Sequence, residues 1–597
     1  MAALLKDNKI TFAYHLLNKA FGAYKPQVAL MTALGFLSGL LEGVGINAVI
    51  PLFSLVSDTT PPGADAISNI IRTAFVRAHI AFTFTSLAIL IALLFIAKAF
   101  VLFAANYLNA RMSYSYEMKM RTELFRESLD ASWPHLLNQK IGHLEKVLVD
   151  HVSASSGVLL LLSSSVLILT NLIMYLLVAV NISAPITIVT LIVGAALFLI
   201  IKPLLYRTRK VSYRLSEMGK AVSHHINEHM IGIKTVKAIN AETSVLIRGE
   251  HLFEHLRRAR LQLSLYNSGL NVFIQPVSIV FILAVFAFSY QSPQFNFASF
   301  AVILYLIQKI FSYVQSMQGK LNGMSESAPY LKSVTDHRES MRQNREHDEG
   351  TQPFSFQSLL AIRDVQFHYH RETDAVLKNV RFEVKKGSMV GIIGPSGSGK
   401  TTVVDLILRL LTPLHGAITL DGIDIHSIRL ADWRRHVGYV SQDIFLLNDT
   451  IEHNITFYHD LTRAEVMAAA RLAYIHDFID KLPEGYGTVV GERGMELSAG
   501  QRQRIILARV LARQPDILIL DEATSALDNE SEALIQRTIE HLKGRVTIII
   551  IAHRLTTLKH CDSLIILQDG IIKERGRPDA LLKDKDSYFY KVNTVHF

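Results

Sequence analysis

Apolar residues crowd the first half of the chain into long runs, among them Phe82–Leu108, Val158–Val180, Ile186–Ile201 and Phe273–Phe288. Beyond residue 355 they come instead in short strand- and helix-sized groups between polar turns. A run near 20 residues matches the roughly 30 Å of a bilayer's hydrocarbon. Six spans are predicted, at about 27–57, 82–108, 157–180, 184–205, 267–290 and 297–320. The first holds Glu42, Gly43, Gly45 and Pro51, so a kink is expected there.

Between Phe82 and Ser132 there is neither glycine nor proline. A helix of that length would extend about 76 Å, more than twice the hydrocarbon thickness. Its composition turns polar after Asn109, so it is expected to leave the membrane and continue in water. The stretch 206–266 is also polar and helix-permissive, broken near its middle by "MIGIKTVKAINAET". Two long helical hairpins follow, either mechanical arms or idle coiled loops.

The 597 residues have a mean hydropathy of +0.27 and a net charge of +9. The basic residues are unevenly placed: six Lys/Arg in 111–156 and eleven in 206–266, against Arg72 and Arg77 in 58–81 and none in 181–184 or 291–296. The positive-inside rule puts the two basic stretches and the C-terminal half in the cytoplasm. The excess charge therefore reports topology, and no nucleic-acid partner is expected. The only cysteine, Cys561, excludes intrachain disulfides, a cysteine zinc cluster and a CxxC pair. Residues 1–26 lack a signal-peptide pattern and read as an interfacial amphipathic helix.

Ionisable and amide side chains at membrane depth are expensive and face a bundle interior or a wet cavity. Glu42, Asn47, Asn267 and Gln275 are candidates for a substrate cavity, or else for interhelical hydrogen bonds; Lys98 and Lys309 are expected to snorkel to an interface. The charged stretch "RESMRQNREHDEGTQP" marks a linker. The expected domains are an N-terminal helix (1–26), a membrane domain (27–335), a linker (336–354) and a nucleotide domain (355–597).

"SMVGIIGPSGSGKTT" is an apolar strand, a glycine-rich turn and a helix start. Gly394, Pro395, Ser396, Gly397, Ser398, Gly399, Lys400, Thr401 and Thr402 thus form a phosphate cradle, with Lys400 on the β/γ oxygens and Thr401 on Mg²⁺. In "PDILILDEATSALD" an apolar strand delivers Asp521 and Glu522 to a sheet edge, Asp521 for the metal and Glu522 to polarise the attacking water. "VTIIIIAHR" brings His553 to that edge. Yet "LSAGQRQRIILARVL" is a second anion seat, a serine at the N-terminus of another helix.

With these motifs the chain resembles the ATP-binding cassette (ABC) exporter half-transporters with six spans. The resemblance implies a membrane α-helical bundle, its six helices extended into the cytoplasm, fused to an α/β P-loop ATPase domain. It implies that Tyr369 stacks on adenine, that Gln442 touches the metal, that Glu492 lies in the coupling region and that His553 is the switch histidine. It also implies that two cassettes pair head to tail, so that Ser498, Ala499, Gly500, Gln501 and Asp528 complete the partner's ATP site. "LSAGQ" departs from the family's LSGGQ at Ala499, which a negative φ and room for a methyl would permit. "ASWPHLLNQKIGHLEKVLVD" and "HMIGIKTVKAINAETS" resemble the loops whose short coupling helices rest on the cassettes, favouring the arm reading.

The implied activity is ATP-driven export by alternating access, with ATP and Mg²⁺ as cofactors and a homodimer (or heterodimer) as the working unit in a bacterial-type inner or plasma membrane. "LLEGVGINAVIPLFSLV" loosely resembles lipid-linked oligosaccharide flippases, which suggests an amphipathic lipid or glycolipid substrate. Multidrug or peptide export is the alternative. A nucleotide-gated channel would be expected to have a degraded hydrolytic site. A cysteine-peptidase domain is not expected, since no cysteine precedes Cys561.

Overall fold

The structure is a computed structural model. It describes residues 21–56, 66–139, 141–272, 274–290, 297–369, 375–523, 527–552 and 555–595. The interfacial helix expected over 1–26 therefore lies outside the described residues up to position 20. Cα packing divides the chain into two units, one of Met1–Ala131 with His135–Arg345, the other of Ser132–Pro134 with Glu346–Phe597.

Among the described residues the regular elements of the first unit are helices. The main ones are α1 (Lys25–Asn47), α2 (Phe84–Leu129), α3 (Trp133–Leu137, its first two residues falling in the second unit), α4 (Val152–Ile182), α5 (Ala184–Ile231), α6 (Ile233–Ala238), α7 (Glu242–Val272), α8 (Ile274–Ser289) and α9 (Phe297–Gln343). Among the described residues four helices are long and apolar enough to cross a membrane, Gly22–Phe53, Phe84–Leu129, His143–Ile182 and Phe300–Gln343. The other two expected spans fall on α5 and α8, whose apolar stretches there are the shorter Ala184–Ala196 and Gln275–Ser289. The chain turns at Ala48 after α1, where the kink was expected, and resumes helix at Val49–Val56. Helix α1 lies close against α4 because glycine allows it. A Cβ on Gly35 would sit 2.1 Å from Thr170 Oγ1, and one on Gly39 2.7 Å from Met174 Cγ.

The break in 206–266 is resolved as Gly232 ending α5, the one-and-a-half turns of α6, and α7 starting at Glu242. Helix α2 runs 46 residues from a capping box at Thr83 and Ser86. Its polar end is tied to α9 by Arg338, which pairs with Glu123 and lies 3.2 Å from Glu127, and by Arg342, 2.7 Å from Glu127.

That pairing corrects the expected linker. Residues 336–343 are the last two turns of α9. Their charge density reflects cross-helix ion pairs in water, which composition alone cannot distinguish from a loop.

The second unit is α/β. An antiparallel sheet has the order β2 (Leu377–Lys385), β1 (Leu359–Phe367), β4 (His415–Leu420), β5 (Ile423–Asp424). A six-stranded sheet runs β10 (Ile571–Gly576), β9 (Ser563–Gln568), β3 (Met389–Ile393), β8 (Thr547–Ile551), β7 (Ile517–Asp521), β6 (Val437–Val440). Strands β9, β3, β8, β7 and β6 are parallel, and only β10 is antiparallel to its neighbour. Every residue of β3, β7 and β8 is buried, as a parallel sheet covered on both faces requires. Alternate residues serve opposite faces: Ile517 and Ile519 pack in one apolar cluster, Leu518 and Leu520 in another.

Candidate nucleotide site

The phosphate cradle follows β3, at the C-terminal edge of the parallel strands, where open α/β sheets bind ligands. Gly394 has φ 157° and is closed in: a Cβ there would stand 1.9 Å from the Leu567 carbonyl oxygen. Gly399, with φ 101°, caps helix α10 (Lys400–Ile407). Pro395, Ser396 and Gly397 form an exposed rim. Among the described residues nothing stands within 4 Å of where a Gly397 Cβ would lie. The buried Ser398 hydroxyl has no hydrogen-bond partner among the described residues. Lys400 Nζ donates to the Gly394 and Pro395 carbonyls, both at 3.0 Å, so the ammonium is held over the loop. Burial lowers its pKa, while the charges of Glu522 and Asp521 pull it back up.

Asp521 is the last residue of β7, paired in register with Ile551 of β8 and only 4 % exposed. The Tyr439 hydroxyl, from β6, donates to its Oδ2 at 3.4 Å. Glu522 has φ 50°, a left-handed turn off the strand; its N–H donates to the Ile551 carbonyl and its Oε2 accepts from Gln442 Nε2 at 2.9 Å. A non-glycine residue in that conformation is held there by its surroundings. The carboxylate pair and Gln442 thus share one edge with the cradle. Thr401 is exposed beside them, and Thr402 is buried and bonded through Oγ1 to the Tyr369 hydroxyl at 3.1 Å. Tyr369 also stands edge-on to Phe367, its ring half exposed. His553, two residues past the end of β8, lies outside the described residues.

Sequence reasoning missed Asp405 and Tyr439. Asp405 stands one turn beyond Thr401 on α10, a spacing that could have revealed it. Burial, then the charge of Asp521, push its carboxyl up to about 6.

The second anion seat is helix α11 (Ala499–Leu511). Ser498 caps it, its Oγ accepting from Gln501 N–H at 3.2 Å while Gln501 Oε1 accepts from Ser498 N–H at 2.8 Å. Ala499 is the first helical residue and its methyl packs on the core, so both conditions for replacing glycine hold. Gly500 has no such latitude. A Cβ there would meet Ser531 Oγ at 2.0 Å and Ser531 Cβ at 2.4 Å. Ser531 lies in the first turn of α12 (Asn529–Leu542), which Asp528 caps by accepting from the Ser531 N–H. The signature segment and Asp528 are therefore packed as one piece. Glu492 accepts from Asn448 Nδ2 at 3.1 Å, in a turn where Arg493 has φ 52°.

In the helical unit the four cavity candidates have different surroundings. Glu42 is 1 % exposed and is paired with Lys98, with Lys309 Nζ at 3.9 Å and the Tyr305 hydroxyl at 3.4 Å. The two lysines thus turn inward to one carboxylate, contrary to the snorkelling expected of them. Pairing outweighs it because an ionised carboxylate among apolar helices needs a counter-ion. Asn47 donates to the Gly43 carbonyl of its own helix. Asn267 accepts from Asn322 Nδ2 at 2.6 Å and lines a cleft of about 470 Å³ with Arg260, Ser264 and Glu326. Gln275 is exposed.

The family model described as the ABC transporter transmembrane region matches residues 33–318, and the one described as ABC transporter matches 377–525. A Pasteurella multocida protein named ATP-dependent lipid A-core flippase is 30% identical over 537 residues, covering 87% of this chain and 90% of its own length. A Nostoc protein named heterocyst differentiation ATP-binding protein is 27% identical over 98% of this chain and 96% of its own. In fold, the chain is similar to a bacterial Atm1-family ABC exporter with ATP bound, at a TM-score of 0.78 and 24% identity over 96% of this chain and 99% of that one.

Proposed function

Since the chain belongs to the ABC transporter family, a transmembrane region fused to an ATPase that drives transport, we propose that it is a flippase for an amphipathic lipid or lipid-linked glycan. The observation that carries the ATP-driven part is the gathering of Lys400, Asp521, Glu522 and Gln442 at one sheet edge. Support for a lipid comes from relatives named lipid A-core flippases, of which the chain covers most.

In this reading the cradle N–H groups and Lys400 bind the phosphates, and Tyr369 stacks on the base. The Thr401 hydroxyl and the Asp521 carboxylate are oxygen donors of the kind Mg²⁺ takes, with Gln442 beside them. The ion would supply charge neutralisation at the phosphates. Glu522 accepts a hydrogen bond from the attacking water and orients it, and His553 takes the role of the switch histidine. Ser498, Ala499, Gly500, Gln501 and Asp528 close over the ATP of a second copy, and Glu492 passes the closure on.

A dimer is supported by uncovered apolar surface. On the polar end of α2, Tyr114, Met118, Phe125 and Leu129 recur at spacings of 4, 7 and 4 and are all more than half exposed. Met230, Ile231, Ile239 and Leu246 are similarly bare along α5–α7. In water such stripes call for a partner helix.

The test is reconstitution in liposomes with fluorescent lipid A, a lipid-linked oligosaccharide, a hydrophobic drug or a peptide. ATP-dependent movement of either lipid, absent in Glu522→Gln, is expected. ATP-driven accumulation of the drug or peptide with no lipid movement would overturn the reading.

A further inference from the structure

Where the chain passes from the first unit to the second, the last anchor of one and the first anchor of the other fall on adjacent residues. Helix α9 ends at Gln343, and Arg345 still belongs to the first unit, bridged to Ala131 and 3.2 Å from Asp130. The next residue, Glu346, is already fastened to the second unit by a two-pronged pair with Arg434, at 2.8 and 2.6 Å. Asp348 accepts from the N–H groups of Leu430 and Gly350 and lies 3.5 Å from the buried Arg409 guanidinium. Thr351 and Gln352 donate to the Ser427 carbonyl, and Arg429 donates back to Gln352. Phe354 then stacks flat on His436, centroids 4.3 Å apart, beside Trp433.

These anchors converge on the far end of the phosphate-cradle helix. Trp433, fully buried, donates from Nε1 to the carbonyl of Ile407, the last residue of α10. Arg409 follows two residues later and donates to the Ile428 carbonyl at 2.6 Å. A pull along the strap is thus delivered to the helix whose other end carries Lys400, through a buried indole and a buried guanidinium.

We propose that residues 346–354 are a taut strap that transmits motion between α9 and helix α10, a route separate from the coupling helices. Glu346, Asp348, Arg409 and Arg434 are its positioning residues. The proposal rests on the ATP-driven dimer reading above, and its test separates the two.

The buried Cys561 is replaced by alanine, Asn181 at the end of α4 by a spin-labelled cysteine, and the distance between labels in the two copies is measured with and without ATP and vanadate. The protein with its native strap should show a nucleotide-dependent shift; its absence would refute the dimer reading. Inserting Gly-Ser-Gly-Ser between Arg345 and Glu346 should cut that shift by at least half while leaving the melting temperature unchanged and the KM for ATP within twofold. Glu346→Arg should do the same, and adding Arg434→Glu should restore most of the shift. A full shift in the insertion variant would overturn the strap. So would loss of ATPase in both variants at an unchanged melting temperature, which would place the segment in the nucleotide site instead.

Discussion

Replacing Gly500 by alanine adds one methyl at the closest approach between α11 and α12. The backbone there is helical, so no dihedral strain arises, and the whole effect is steric. The new Cβ would lie 2.0 Å from Ser531 Oγ and 2.4 Å from Ser531 Cβ. Rotating the hydroxyl away removes the first clash but not the second, so the two helix starts must part by about 1 Å to reach ordinary contact. Overpacking of this kind costs about 1–3 kcal/mol. The displaced groups are the N-terminus beside Ser498 and the Asp528 cap, where an error of about 1 Å is worth up to a hundredfold in rate. The expected result is an ATPase rate down roughly tenfold to a hundredfold, with a melting temperature lower by several degrees. Gly500→Ala combined with Ser531→Gly should recover much of both, because glycine keeps the N–H that Asp528 accepts. Wild-type rate and stability in the single variant, or no recovery in the double, would refute the packing argument.

Glu522→Gln keeps the hydrogen bond with Gln442 geometrically possible while removing the charge. It should lower ATP turnover by about 10²-fold or more with nucleotide binding retained, as filter binding and phosphate release would show. Glu42→Gln leaves Lys98 without its counter-ion among apolar helices and should cost about 3–5 kcal/mol, read as thermal melting in detergent; an unchanged melting curve would show the pair to be dispensable. Asp405 holds its proton more tightly in the folded protein than in the unfolded chain, its carboxyl lying at about 6. It therefore costs stability as pH rises from about 4 to about 6, by up to about 3 kcal/mol before solvent screening is discounted, and the cost persists above pH 6. In metal-free buffer Asp405→Asn should abolish that decline, and a wild-type pH profile in the variant would contradict the assignment.

The phosphate loop and the Asp521–Glu522 strand end were legible as structure because each part is local. A fully apolar strand, a glycine turn and a helix start are adjacent in sequence, and the edge they create follows from strand order. A serine ahead of an apolar-striped helix announces the cap at Ser498, whereas Asp528 came from the family resemblance and its capping role from the structure. The helical unit was less legible where charges find partners far along the chain. Glu42 meets Lys98 and Lys309 across 56 and 267 residues, and no local pattern encodes such a meeting. Arg338 and Arg342 looked like linker residues because their carboxylates, Glu123 and Glu127, sit on another helix. Ser531 was invisible for the opposite reason: a small residue filling the space beside a glycine carries no chemical signature.

Helix α2 is unbroken over 46 residues, a rod of about 69 Å. A rod converts rotation into travel in proportion to its length. Tilting it by about 5° about one end would carry the other through about 6 Å, more than the rise of one helical turn. Movements too small to disturb side-chain packing near the pivot therefore become displacements on the scale of a lipid headgroup at the tip, and shortening the rod would shrink that stroke in direct proportion.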